Sequence, residues 1–370
     1  MKKVVTLLMV CGLAATLTSC LNVTVGNNGS TFFGSGKRIV GNGNVQEKEI
    51  GKLDFTEIES RNSIDVFISS AADIPVKVSG DENLIDYVEV KVENGILKVQ
   101  MQEGLSYSTK NALKVIVPNN GKIRRIAASG SSDVTSESVL TADGFILSCK
   151  GSSGFRGDIA AVNCDLDMSG SSDFRGSVKA DGLKLDVSGS SGYKGIMEAK
   201  NVDIHCSASS GCQVENVLTA DDFAVTCSGS SNFSGDIVAV NGDLKISSSS
   251  DFKGNIKAEK LNLSCKGSSD YKGNMETKNV DILCESSSDC IVGNGFADVA
   301  KISVSGSSDF KGYDFTARHA ECSASGSSDI QITCTDKLSV HASGSSDIYY
   351  KGHPNILSLS ISGSSNVYER

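Results

Sequence analysis

The sequence predicts an all-β fold, a parallel β-helix of about 19 to 20 residues per coil, and three observations lead there. A Ser-Ser dipeptide closed by Asp, Asn or Gly recurs thirteen times between Asp133 and Asn366, at intervals of 18 to 21 residues. Around each recurrence the same positions are apolar. The composition is also short of bulk: hydrophobic residues make up 39%, aromatics only 6%, and Trp is absent. Small and β-branched side chains stacked in a narrow core suit that composition better than the core of a compact globule.

The columns supply the physics. Seven residues before the closing residue stand Ile126, Leu147, Leu166 and Leu185, and five before it Ala128, Cys149, Met168 and Val187. One after it stand Val134, Phe155, Phe174 and Tyr193. Later coils continue the three columns to Leu359, Ile361 and Val367. The first two columns alternate with polar residues, the period-two mark of a strand with one buried face. Pairs such as Val178-x-Ala180 and Ile237-x-Ala239 mark a second strand, with Asp181-Gly182 as the expected turn between strands. Thirteen coils at a strand spacing of ~4.8 Å make a rod roughly 60 Å long. A propeller blade needs about 40 residues, and a helical solenoid a 3.6-residue period, which is missing here. A larger copy lies on top: Gly157-Asp158-Ile159 returns as Gly235-Asp236-Ile237, and Lys200-Asn201-Val202 as Lys278-Asn279-Val280, four coils later.

The N-terminal segments differ. Residues 1–19 read as a lipoprotein signal peptide: Lys2 and Lys3 precede an apolar run too short to span a bilayer, which ends in Leu17-Thr18-Ser19-Cys20. Cys20 is the expected lipidation site, with acyl chains such as palmitate as the membrane anchor. Residues 20–49, rich in Gly, Asn, Ser and Thr, read as a flexible tether. Residues 50–125 carry the alternating runs Ile64-x-Val66-x-Ile68 and Val88-x-Val90-x-Val92, then Asn94-Gly95 and Leu97-x-Val99-x-Met101, a hairpin signature. They are expected to cap the first coils, with the repetitive helix over 126–370. Only three residues follow Val367, so the C-terminal coil is expected to carry no cap and to offer an edge for self-association.

On these features the chain resembles the GIN-domain family, the auto-transporter adhesin head domain. The resemblance rests on the Cys20 lipobox, Phe55-x-x-Ile58, Ser63-Ile64-Asp65-Val66-x-Ile68, Gly95-x-Leu97 and the Ser-Gly-Ser-Ser-Asp turns. It covers nearly all of 50–370, as two family units with a break near 210–235. It implies a right-handed β-helix of the cell envelope, and it offers no catalytic residue to transfer. By likeness to Gram-negative sorting, the absence of Asp after Cys20 points to the outer membrane, on its periplasmic face or at the cell surface.

Candidate chemistry is sparse. The net charge of −9 disfavours nucleic acid as a partner, since phosphate binding needs clustered Lys and Arg. Five cysteines lie in the inward column, where Val, Ile, Ala and Met substitute for them, so packing accounts for them. Two coils place a second cysteine where an aromatic normally stands, which makes Cys206–Cys212 and Cys284–Cys290 candidate disulfides. The Asp column invites a stacked-carboxylate cation site, but Gly and Asn replace Asp freely, as backbone-bonding turn residues do, so no metal or other cofactor is expected. Lys or Arg two residues after the turn (Arg156, Arg175, Lys194, Lys253, Lys272, Lys311) is positioned to compensate those carboxylates. His205, His319, His341 and His353 have no ligand or triad spacing. β-Helix enzymes that act on polysaccharide carry inserted loops, and here no interval exceeds 21 residues. The expected function is a non-catalytic, membrane-tethered scaffold that binds glycan or an envelope protein. The alternatives are a polysaccharide-active enzyme and a purely structural, self-associating protein.

Overall fold

The computed structural model describes residues 38–370, so the expected signal peptide and the expected lipidation site Cys20 lie outside the described residues. The chain is an all-β solenoid of about thirteen turns. Strand pairing through the repeats is parallel and in register, each residue above its equivalent one coil earlier: Leu147 on Leu166 on Leu185 on Ile204. Each coil has three runs. In one coil they are 159–161, then 164–170, then Asp173–Arg175 after the Ser171-Ser172 turn. The turn expected at Asp181-Gly182 is instead a corner inside one continuous strand, Val178–Val187. The strand bends there without breaking because the pair before it, Ala180, and the pair after it, Leu183, both stay in the ladder.

The three apolar columns face inward and are buried in every coil except the last. Leu359 and Ile361, in Asn355–Ile361, are 57% and 45% exposed, because no described coil stacks above them. The ladder runs without interruption through 210–235, with one local register shift between Gln213 and Val217.

A fourth inward column is polar. The second serine of every Ser-Ser pair, from Ser132 to Ser365, is buried. Its hydroxyl closes the corner: Ser269 Oγ donates to the carbonyls of Ile246 and Lys266 at 3.1 and 3.0 Å. Ser231 and Ser288 do the same toward Cys206 and Cys265. Burying a hydroxyl costs free energy unless it is bonded; here some of the hydroxyls donate to corner carbonyls, and others, such as Ser191 and Ser308, accept a backbone N–H from the neighbouring coil. Just before the pair, Gly170 sits at φ +86°, and a Cβ there would lie 2.5 Å from the Gly151 carbonyl oxygen. Sign of φ and the close coil spacing both select glycine.

The N-terminal region is a cap with an unexpected order of stacking. The coil formed by Glu57–Ser60 and Asp65–Ser69 is sandwiched between the repeats and a lower layer made by later residues, Ile96–Met101 and Lys114–Pro118. The expected hairpin is present, Val88–Glu93 antiparallel to Ile96–Met101 around Asn94-Gly95. Val45–Gly51 and Val76–Asp81 pair antiparallel across the side. Asp81 pins this layer: although fully buried, its carboxylate accepts from the backbone N–H of Gly43, Lys110 and Asn111 and from the Asn111 amide. Burial pushes its pKa up, but those four hydrogen bonds outweigh burial and hold it below the ordinary carboxylate value.

Two outcomes follow. Ser269→Ala removes a bonded buried hydroxyl and is expected to cost about 1–3 kcal/mol. Ser268→Ala, one residue earlier and exposed, is the control and should stay within about 0.5 kcal/mol. Chemical melts of the two variants check this. A lowered Asp81 pKa means the cap's contribution is present above the unfolded-state value and lost as pH falls through the folded one. Amide exchange at 41–43 and 110–111 should therefore accelerate in acid before exchange in the coils does, and Asp81→Asn should abolish that difference.

Candidate functional site

A groove of about 860 Å3 follows one corner of the solenoid along the rod axis. It lies where the 159–161 and 164–170 runs and their equivalents meet. Its floor is a column nine residues before each closing residue: Phe145, Cys164, Leu183, Val202 and Phe223, stacked in register. Between the two phenylalanines stand three smaller side chains, so the surface dips over Cys164, Leu183 and Val202. One rim is Gly144, Asn163, Gly182, Asn201 and Asp222; the other is Ile146, Asp165, Lys184, Asp203 and Ala224. Gly144 stands at the mouth with open space where a Cβ would be.

At the N-terminal end the floor column begins with Arg124. Arg124 and Arg125 share one carboxylate, Glu57, at 3.1 and 3.4 Å, so this end keeps an excess positive charge. Across six coils the groove runs roughly 24 Å at the usual strand spacing. This column is one further step of the alternation seen at the other two strand columns, so Phe145, Leu183 and Val202 were readable as inward. That the column is also shallow is a matter of volume at a corner, which periodicity does not report.

The residues singled out from sequence are placed as follows. Cys206, Cys212, Cys284 and Cys290 are buried and unbonded here, as are the other six described cysteines. From Asp270 to Asp347 the turn aspartates form a ladder in which each carboxylate accepts the backbone N–H of the next coil: Asp289 to Asp270 at 3.0 Å, Asp309 to Asp289 at 3.2 Å, Asp329 to Asp309 at 3.1 Å. Burial raises the Asp329 pKa, and Asp309 and Asp347 on either side add to that. Among the described residues, no three His, Cys, Asp or Glu side chains are grouped to hold a metal ion. Of the six basic residues after the turn, Lys311 bridges ladder carboxylates, reaching Asp289 at 2.6 Å and Asp309 at 3.2 Å. Lys194 instead pairs with Glu215. His205, His319 and His353 each face a carboxylate: Asp203 at 3.3 Å, Asp336 at 2.9 Å and Glu369 at 2.9 Å.

The family model described as "Putative auto-transporter adhesin, head GIN domain" matches residues 54–214 and 243–354, well over half of the chain. This chain belongs to the GIN head-domain family. Most of the groove, from Glu57 to Asp203, lies within the first matched segment, while Asp222, Phe223 and Ala224 lie between the two matched segments. Among solved structures, the GIN-domain chain is similar to a putative adhesin from Parabacteroides merdae, at 16% identity over 90% of this chain and 99% of that one, with a TM-score of 0.27. It is also similar to a putative lipid binding protein from Parabacteroides distasonis (22% identity, 90% and 100% coverage, TM-score 0.30). A putative adhesin from Bacteroides fragilis matches at 14% identity over 90% and 100%, with a TM-score of 0.29. No curated protein matches the chain. No helix among the described residues is long and apolar enough to cross a membrane.

Proposed function

We propose that this GIN-domain protein is a membrane-tethered, non-catalytic binding scaffold of the adhesin kind, and that its ligand is an elongated chain with an apolar face and an acidic group. The observation that carries this reading is the apolar groove ending at Arg124 and Arg125. The ligand lies along the rod axis, its apolar face over Cys164, Leu183 and Val202 and its acid against the arginines. Glycan and protein partners both satisfy this description when they carry an acid and an apolar face; a neutral polar glycan does not. The absence of catalysis is supported by coils of uniform length and by buried thiols. Attachment to the outer membrane, on either face, is supported by the Leu17-Thr18-Ser19-Cys20 lipobox and by the absence of Asp directly after Cys20.

Self-association is the second reading, and one observation favours it. In the last described coil Leu357, Leu359 and Ile361 are exposed along a strand, Asn355–Ile361, whose one ladder partner is the coil beneath. Two such edges from two copies are complementary in hydrogen bonding and in apolar surface.

A panel of acidic amphiphiles, acidic glycans and neutral glycans tests the groove. Gly144→Trp fills its mouth without a backbone clash and is expected to weaken binding at least tenfold, as is the Arg124→Glu, Arg125→Glu pair. Undiminished binding by both variants would remove the groove from the reading, and cleavage of a bound glycan would overturn its non-catalytic part. For the tether, Cys20→Ser is expected to move the chain from the detergent phase to the aqueous phase of an envelope extract and to abolish labelling by a palmitate analogue. Retained labelling would refute Cys20 as the anchor.

A further inference from the structure

The aromatic column of the solenoid is interrupted twice, and each interruption builds a cluster of thiols. Phe155, Phe174 and Tyr193 stack with centroids 5.5 and 4.9 Å apart; Phe233, Phe252 and Tyr271 repeat the arrangement at 4.9 and 5.6 Å. The next position after each trio of rings is Cys212 and Cys290. Where the ring is missing, the neighbouring inward column supplies cysteine as well. Cys206 meets Cys212 across the turn and Cys227 one coil above; Cys284 meets Cys290 across the turn and Cys265 one coil below. All six are at most 2% exposed.

We propose that Cys206–Cys212 and Cys284–Cys290 are disulfides in the exported protein, each beside a third, free thiol, Cys227 and Cys265. Geometry selects these partners over the coil-to-coil pairs. In-register residues of parallel strands stand about 4.8 Å apart with Cβ atoms projecting side by side, whereas a disulfide needs Cβ atoms about 3.8 Å apart. Residues on two sides of a corner point toward each other. The bond forms by exchange: the Cys284 thiolate attacks a partner disulfide and displaces one thiolate, then Cys290 sulfur attacks the mixed disulfide and displaces the other. Two thiol protons and two electrons leave this chain, and the partner disulfide ends as two thiols. With the sulfurs buried in the finished rod, exchange takes place as the coils stack.

The inference rests on export to an oxidising compartment, and the test separates the two. The full chain is recovered from the envelope in one arm, and in the other is refolded from denaturant with glutathione disulfide. Each sample is then unfolded in iodoacetamide without reductant and digested with trypsin. Cys284 and Cys290 share the peptide 279–301, while Cys265 lies in 261–266. The expected result is a 279–301 peptide that carries no alkyl group and is two hydrogens lighter than its reduced form, with Cys265 alkylated. Fragmentation of 201–245, which holds Cys206, Cys212 and Cys227, should show Cys227 alone alkylated. Cys290→Phe, which returns a ring to the column, is expected to leave Cys284 alkylated, and Cys265→Ser to leave the bond intact. The bond in the refolded arm alone supports the disulfide and refutes export. Full alkylation in both arms, or a cross-link between 261–266 and 279–301, overturns the proposal.

Discussion

The structure depends on one constraint: parallel coils stacked in register place every residue directly over its equivalent. A side chain in such a stack is judged against the one above and the one below, not against a varied environment. Aliphatic columns satisfy the constraint by interdigitating, and the aromatic column by stacking at about 5 Å. Identical charges one coil apart would repel, yet the Asp ladder survives because each carboxylate accepts the next coil's backbone N–H. Elsewhere the outer faces alternate in sign between coils, as in Lys257 with Glu276 at 2.9 Å and Lys278 with Glu259. Such exposed pairs contribute little individually, and their main effect is to remove like-charge stacking.

The same constraint explains what the sequence disclosed. Repeat spacing and alternation identify the coil, its inward columns and the hairpin at Asn94-Gly95, because these are one-dimensional periodicities. Three features have no such signature. The buried serine looks like a turn residue, since its neighbour in the pair is one; only the geometry of the corner turns the second hydroxyl inward. The Asp181-Gly182 corner has turn composition but keeps both flanking pairs in the ladder, so the strand continues. The cap reverses chain order, with 96–118 beneath 57–69, because long connections cost little extra closure entropy and let antiparallel strands cover the first coil's edge. The groove falls between these cases: its floor column was legible, and its depth was not.

Four-coil duplication separates what was copied from what was not. The thiol corner is copied intact, Cys206 and Cys212 returning as Cys284 and Cys290. Of the groove floor, Leu183 and Val202 return as Leu261 and Val280, but Cys164 returns as Gly242. A Cβ at Gly242 would lie 2.3 Å from the Phe223 ring, so that ring already occupies the dip. The cavity beside it shrinks to about 280 Å3. Arg124 corresponds to Val202, so the copy also has no cationic end. The groove is therefore complete at the N-terminal corner and filled farther along. The asymmetry comes from two positions in one column, where a smaller residue lets a neighbour's ring fold down. In a stack this regular, departures from the column are what give the surface its local shape, and the unvarying coils hold them at a fixed distance along the rod.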